Sequence, residues 1–394
     1  MTEREWSDTY LDSLRHVGDE DADNVVKKYF AALGRDDPSG LFHGVLKRDG
    51  EVAVPEVAAF LHAPADPPDW VNWDTVAAGQ ERFARWGGHV FTALYAASLP
   101  SAYACKRGVQ VLGATAQLEK DTRRRMNETA QFLLHVMEPG GLEPDGAGFS
   151  DVRHVRLMHA AVRHMMLVHT DVRWDEGWGK PINQEDLLET LLTFTEIVFE
   201  VFDKTGVTYS DDDAEAYLHT WSYVGHILGV LPDRLPLSRA DTRALMPIVR
   251  RRQFGPSEAG TLLTGALLDE GRKVSPPGFR GLPATTVRYY VGDTVADSLG
   301  VPPADWTRSL FGPLASVTRV LSAEKAHQRM LTTFSDRIGM RLMRMAVNAG
   351  RVEGRAEFAI PTTLADRWGV SVKGVPRGAD RRRARRVERG RTAG

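Results

Sequence analysis

The chain has 394 residues, 42% of them hydrophobic, enough to bury a large core as one large helical domain or as one domain with appendages. Its formal net charge of −2 offers no general case for binding nucleic acid or a membrane surface. The single cysteine, Cys105, excludes an internal disulfide and suits a reducing compartment.

The opening residues, Met-Thr-Glu-Arg-Glu-Trp-Ser-Asp-Thr-Tyr, have no basic region leading into an apolar run, so no signal peptide is expected. No stretch of about twenty uncharged apolar residues offers a membrane span, and a cytoplasmic location is the expectation. Residues 1–37 pattern as one or two amphipathic helices. Asp19, Asp21 and Asp23 have the alternation of a calcium loop, but Asn24 replaces its glycine and Phe30 stands where the bidentate glutamate belongs. They are read as charges favouring a helix start. Residues 45–56 suggest a short extended pair around Arg48-Asp49-Gly50.

From there the pattern is helical almost throughout. Proline-rich connections at 64–68, 232–236 and 276–283 punctuate it without a clear linker, and no internal repeat of fixed period is found. A helix over 118–137 presents Leu118, Thr122, Arg125, Thr129, Phe132 and Val136 on one face and stops at Glu138-Pro139-Gly140-Gly141. Arginine on such a face either snorkels to the rim or holds an anion.

After a loop, Ser150 is the expected N-cap of a helix over 151–168, whose stripe reads Val152, Val155, His159, Val162 and Met166. An imidazole held in an aliphatic stripe needs a partner, either a structural hydrogen bond or a metal. The two helices are expected to be antiparallel. Thr129 and His159 would each lie about 12 Å from the turn, bringing an arginine, a hydroxyl and an imidazole to one level. His154 and His164 flank the same helix at other angles and are read as rim residues.

Further on, Trp174, Trp178 and Pro181-Ile-Asn-Gln-Glu-Asp form a loop and helix start, with Asn183 as the cap of a helix carrying Leu187, Leu191 and Phe194. Asp211, Asp212 and Asp213 match the dipole of the next helix, on which His219 and His226 are read as packing residues. The chain closes with Arg377, Arg381, Arg382, Arg383, Arg385, Arg386, Arg389 and Arg391 among almost no apolar residues, read as a solvated tail.

Several segments together resemble a known family. They are Arg125-Met-Asn-Glu-Thr129 with the following Ala-Gln-Phe-Leu-Leu, Val155-Arg-Leu-Met-His159-Ala-Ala-Val-Arg163, Leu99-Pro-Ser-Ala-Tyr103, Gly179-Lys-Pro-Ile-Asn-Gln-Glu-Asp186 and Trp221-Ser-Tyr-Val-Gly-His-Ile-Leu-Gly229. They are similar, over about 70–250, to the catalytic domain shared by latex clearing protein and the MpaB-type oxygenases. The resemblance implies an all-α fold, globin-like in helix content, with a non-covalent haem b between core helices. His159 would be the proximal iron ligand, and Arg125 and Thr129 the pair kept beside the haem. The chain contains no Cys-x-x-Cys-His, in keeping with haem held without thioether links.

The chain is expected to divide into a helical extension (1–69), the haem-binding core that the resemblance covers (70–250), a helical part packed on it (251–375) and the basic tail (376–394). The resemblance implies a haem-dependent oxygenase that uses dioxygen on a lipophilic, alkene or isoprenoid-like substrate, with oxidative cleavage of a carbon–carbon double bond as the first expectation. A haem sensor or carrier, or a helical binding protein without haem, are the alternatives.

Two positions depart from the family pattern. Glu128 stands where some rubber-cleaving relatives carry a lysine able to reach the sixth iron position. The preceding helix offers Val109-Gln110-Val111 where they carry a glutamate proposed as base, and glutamine cannot abstract a proton.

Overall fold

Asn72, Asn183, Ser210, Ser238 and Ser257 each accept a hydrogen bond from the backbone N–H of the residue three further on, and each opens a helix. At Asn183 and Ser210 the bond is reciprocated by Asp186 and Asp213, so the cap expected at Asn183 is present as a full capping box.

The computed structural model describes residues 6–33, 55–116, 122–168, 174–316 and 318. Among them the first half holds α1 (Asp8–Leu14), α2 (Glu20–Leu33), α3 (Pro55–His62), α4 (Trp73–Trp86), α5 (Gly88–Ala93), α6 (Leu99–Ala104) and α7 (Val109–Ala116). Next come α8 (Thr122–Met137), α9 (Ala147–Val168), α10 (Gln184–Phe194), α11 (Glu196–Thr205) and α12 (Asp211–Ile227). The last are α13 (Arg239–Gln253), α14 (Glu258–Val274), α15 (Leu282–Val291) and α16 (Asp293–Ser298). One isolated bridge, Cys105 to Phe254, is the extended pairing seen among the described residues, and the fold is all-α as expected. Of the extended pair expected at 45–56, residues 45–54 lie outside the described residues, and Pro55 and Glu56 open α3. The basic tail also lies outside them.

The core forms where α12 lies along α4. Trp221 and Tyr217 are almost fully buried, with Trp86 and Phe199 packed edge to face on Tyr217 and Phe202 edge to face on both of them. The helix pair α8 and α9 packs against this unit, and α14 and α15 pack on α6, α7 and the π-helical turn Leu94–Ser98.

α9 starts at Ala147, four residues before the expected start. Gly146 and Gly148 read as loop residues because glycine disfavours helix. Here they are needed for close approach: a Cβ on Gly148 would stand 2.5 Å from the carbonyl oxygen of His135 and 2.6 Å from Cα of Val136. The bare backbone lets the first turn of α9 press on the last turn of α8. His135 Nδ1 and Asp151 meet across the joint at 2.6 Å, so the two helices run antiparallel.

Candidate functional site

α9 carries His159 and divides two apolar surfaces. One side packs with α2 and α3 through Leu157, Ala160, Ala161 and Met165 against Ala22, Val26, Phe30 and Val57. The face that carries His159 continues into Val162 and Met166, which join Val111 of α7 in a small separate cluster, with Met158, Trp174 and Ile182 packed against it. An imidazole therefore shares a helix face with a small apolar cluster built from α7, α9 and the 174–182 loop.

Two arginines bracket His159 on the same helix. Arg156 forms a bidentate pair with Asp19, at 2.6 and 2.8 Å, and Arg163 pairs with Asp23. The first and last of the three alternating aspartates thus hold the start of α2 against α9. Asp21 is exposed beside Arg156. Among the described residues no group of three or more His, Cys, Asp or Glu side chains could hold a metal ion.

His159 is half-buried, but its Nδ1 is fully enclosed and has no hydrogen-bond partner among the described residues. Burial, reinforced by the positive charge of Arg163 and slightly offset by Asp19, lowers its pKa to about 4. The ring is then neutral near pH 7, the form in which imidazole binds iron.

The other histidines differ. Nδ1 of His154 is 2.7 Å from the carbonyl oxygen of Ser150 on its own helix, and His164 stacks on Phe30 at 4.6 Å. Nε2 of His219 accepts from the backbone of Asn72, and His226, whose Nδ1 is also unpartnered, lies parallel to Tyr223. Of the two partners open to His159, no structural hydrogen bond to Nδ1 is made among the described residues. A neutral imidazole beside an apolar cluster is a donor set that fits a haem.

On α8, Thr129 is exposed and Glu128 is buried, so the helix is turned by about one residue from the expected stripe, while Val136 is fully buried as expected. The side chain of Arg125 lies outside the described residues. From the contact of His135 with Asp151, Thr129 is six residues back and His159 eight residues on, a difference in level of about 3 Å.

Sequence reasoning missed a buried polar network behind α7. Arg15 of the α1 C-terminus reaches Glu185 at 3.0 Å and Asp186 at 3.1 Å, and Arg252 binds Glu185 at 2.8 Å. Glu189, one turn on, is buried beside Cys105 with an unpartnered Oε2. Burial, then the charge of Asp186, raises its pKa well above 4.5. On α7 itself Val109 is buried, and Gln110 donates to the carbonyl of Lys106. The one signal in the sequence was Asp186 as the third residue of a capped helix.

No described helix is long and apolar enough to cross a membrane. The sequence model of the family described as ER-bound oxygenase mpaB/B′ and rubber oxygenase, catalytic domain, matches residues 76–323, more than half of the chain. A rubber oxygenase of Streptomyces sp. (strain K30) is 28% identical over 184 residues, which are 46% of this chain and 45% of that protein, so the match spans about half the length of this curated relative. The solved structure of latex clearing protein in the closed state superposes with a TM-score of 0.66 at 22% identity, over 88% of this chain and 94% of the other, which is a likeness of fold.

Proposed function

This chain belongs to the family of the mpaB and rubber oxygenase catalytic domain, and on that premise we propose that it is a haem b-dependent oxygenase acting on a lipophilic, alkene or isoprenoid-like substrate. The observation that carries this reading is the enclosed Nδ1 of His159, unpartnered among the described residues, on a neutral ring beside an apolar cluster. A buried polar atom without a partner is a cost that a ligand would remove.

In this reading His159 holds the iron, and Val162, Met166, Val111 and Ile182 supply the dry wall against which the macrocycle and the substrate lie. Arg125 and Thr129 orient a haem propionate or a water. Haem, when bound, supplies the iron that activates dioxygen. The arginine pairs at Asp19 and Asp23 fix the rotation of α9, and hence the direction in which His159 points. Oxidative cleavage of a carbon–carbon double bond to two carbonyl products is the first reading, ahead of hydroxylation or peroxide-dependent oxidation. The region over 70–250 forms the haem-binding core, and the cytoplasm is the proposed location.

The test is oxygen uptake by the reduced, haem-loaded protein with an alkene of isoprenoid type, with carbonyl products assayed. Uptake that depends on the alkene and is lost in His159→Ala supports the oxygenase. Haem binding without alkene-dependent uptake contradicts it in favour of a sensor or carrier.

A further inference from the structure

Ile182 is the one non-glycine residue with positive φ among the described residues, at +51°. A β-branched side chain is poorly suited to this region, because its Cβ crowds the backbone. Such a conformation persists only when the surroundings over-determine it. Here they do. Arg163, 2% exposed, donates from Nε to the carbonyl of Pro181 at 2.9 Å and from Nη2 to the carbonyl of Ile182 at 2.8 Å, and its third arm is fixed by Asp23. Upstream, Lys180 N–H donates to the carbonyl of Arg15 at 2.8 Å, and Trp174 Nε1 donates to the carbonyl of Gly179 at 2.7 Å. Downstream, the Asn183 side chain donates to the carbonyl of Lys180 at 2.8 Å and caps α10.

The outcome of this grip is the placement of one side chain. Ile182 packs against the cluster of Val111, Val162 and Met166, on the face of α9 that bears His159. Arg163 lies one turn beyond His159 on the same helix, so the clamp and the candidate iron ligand share a rigid element.

We propose that Ile182 is a specificity-determining wall of the lipophilic pocket beside His159, and that Arg163 is the positioning residue that sets it there. The substrate class rests on the oxygenase reading; the wall itself rests on the packing. A fixed branched side chain limits the girth of a carbon skeleton lying along the slot, so the residue at 182 selects between linear and methyl-branched alkenes. A strained backbone lets the wall stand firm where an unstrained loop would turn its side chain elsewhere.

The experiment compares full-length, haem-loaded wild type with Ile182→Ala, Ile182→Phe and the milder Ile182→Val. The ratio of kcat/KM for a methyl-branched over a linear alkene is expected to rise about tenfold in Ile182→Ala and fall by a similar factor in Ile182→Phe, through KM with kcat little changed. Ile182→Val, which keeps the β-branch, is expected to shift it in the Ala direction by less. Arg163→Lys, which cannot hold both carbonyls, is expected to move the ratio as Ile182→Ala does.

A second readout needs no turnover: the affinity of the as-purified proteins for diphenylhexatriene, a bulky apolar fluorophore, is expected to strengthen in Ile182→Ala and weaken in Ile182→Phe. If the wild type proves inactive on alkenes but the fluorophore affinities shift in this way, the wall stands and the oxygenase reading falls. Unchanged ratios and unchanged affinities in folded Ala, Val and Phe variants overturn the proposal.

Discussion

A carboxyl group removed from water resists ionisation, and Glu189 is in that position, 5% exposed, with Oε2 unpartnered among the described residues and only the weak thiol donor of Cys105 to offset the burial. In the unfolded chain it ionises near 4.5, whereas in the folded chain its pKa is raised well above that. Below 4.5 both states are protonated and the folded state keeps its full stability. As the pH rises toward the folded-state pKa, only the unfolded chain releases the proton, so stability is lost. Glu189→Gln keeps the neutral shape without the ionisation. It is expected to flatten the fall in urea midpoint above pH 4.5, and an unchanged slope in this variant would contradict the assigned burial.

At the same scale, Glu128 is buried, and the resemblance implies a lysine there in some rubber-cleaving relatives. If the chain holds haem as proposed, its ferric form is expected to take up imidazole or cyanide readily, and Glu128→Lys to slow the spectral shift. A parent spectrum of two strong nitrogen ligands, indifferent to imidazole, would contradict this. His159 was legible in the sequence because an imidazole breaks an aliphatic stripe. Thr129 was assigned to the buried face because a stripe fixes helical phase only to about one residue. Glu189 was invisible, since nothing in its neighbours announces that an acid there loses its water.

Elements are held to one another by two devices, and both can be tested. The pairs Arg156 with Asp19 and Arg163 with Asp23 attach α2 to α9. Asp19→Asn leaves the mostly buried Arg156 short of its partner, an expected loss of about 3 kcal/mol by denaturant unfolding. A loss no greater than that of a surface substitution would show that solvent screens the pair. The second device is the bare backbone of Gly148. Gly148→Ala forces a methyl onto His135 and Val136 backbone atoms that cannot yield cheaply, with an expected cost of about 1–3 kcal/mol. A neutral outcome would mean that the joint can open without loss.

The antiparallel pair was legible from its apolar periods and its proline-glycine stop, and so was the cap at Asn183. The true start of α9 was not, because packing of α8 on α9 overrides the low helix propensity of Gly148. The partners of Asp19 and Asp23 were not legible either, since each pair closes over more than a hundred residues of chain.

At the scale of the whole molecule, the backbone arrangement of latex clearing protein persists at 22% identity. What persists is the pattern of apolar helical faces, which fixes how helices lie, while most individual side chains are free to change. The all-α class was therefore open to sequence reasoning. The apolar cluster beside His159 was not, because Val111, Val162, Met166 and Ile182 come together from three separate segments.

If this molecule is organised around an iron porphyrin held by His159, as proposed, a pyridine haemochrome spectrum of freshly purified protein will show it, taken beside His159→Ala with helical content followed by circular dichroism. The expected result is a b-type spectrum near one haem per chain in the parent, and little or none in a variant that keeps its helices. A parent that binds no haem even when supplied with it, or a His159→Ala protein with full occupancy and an unchanged spectrum, would contradict it.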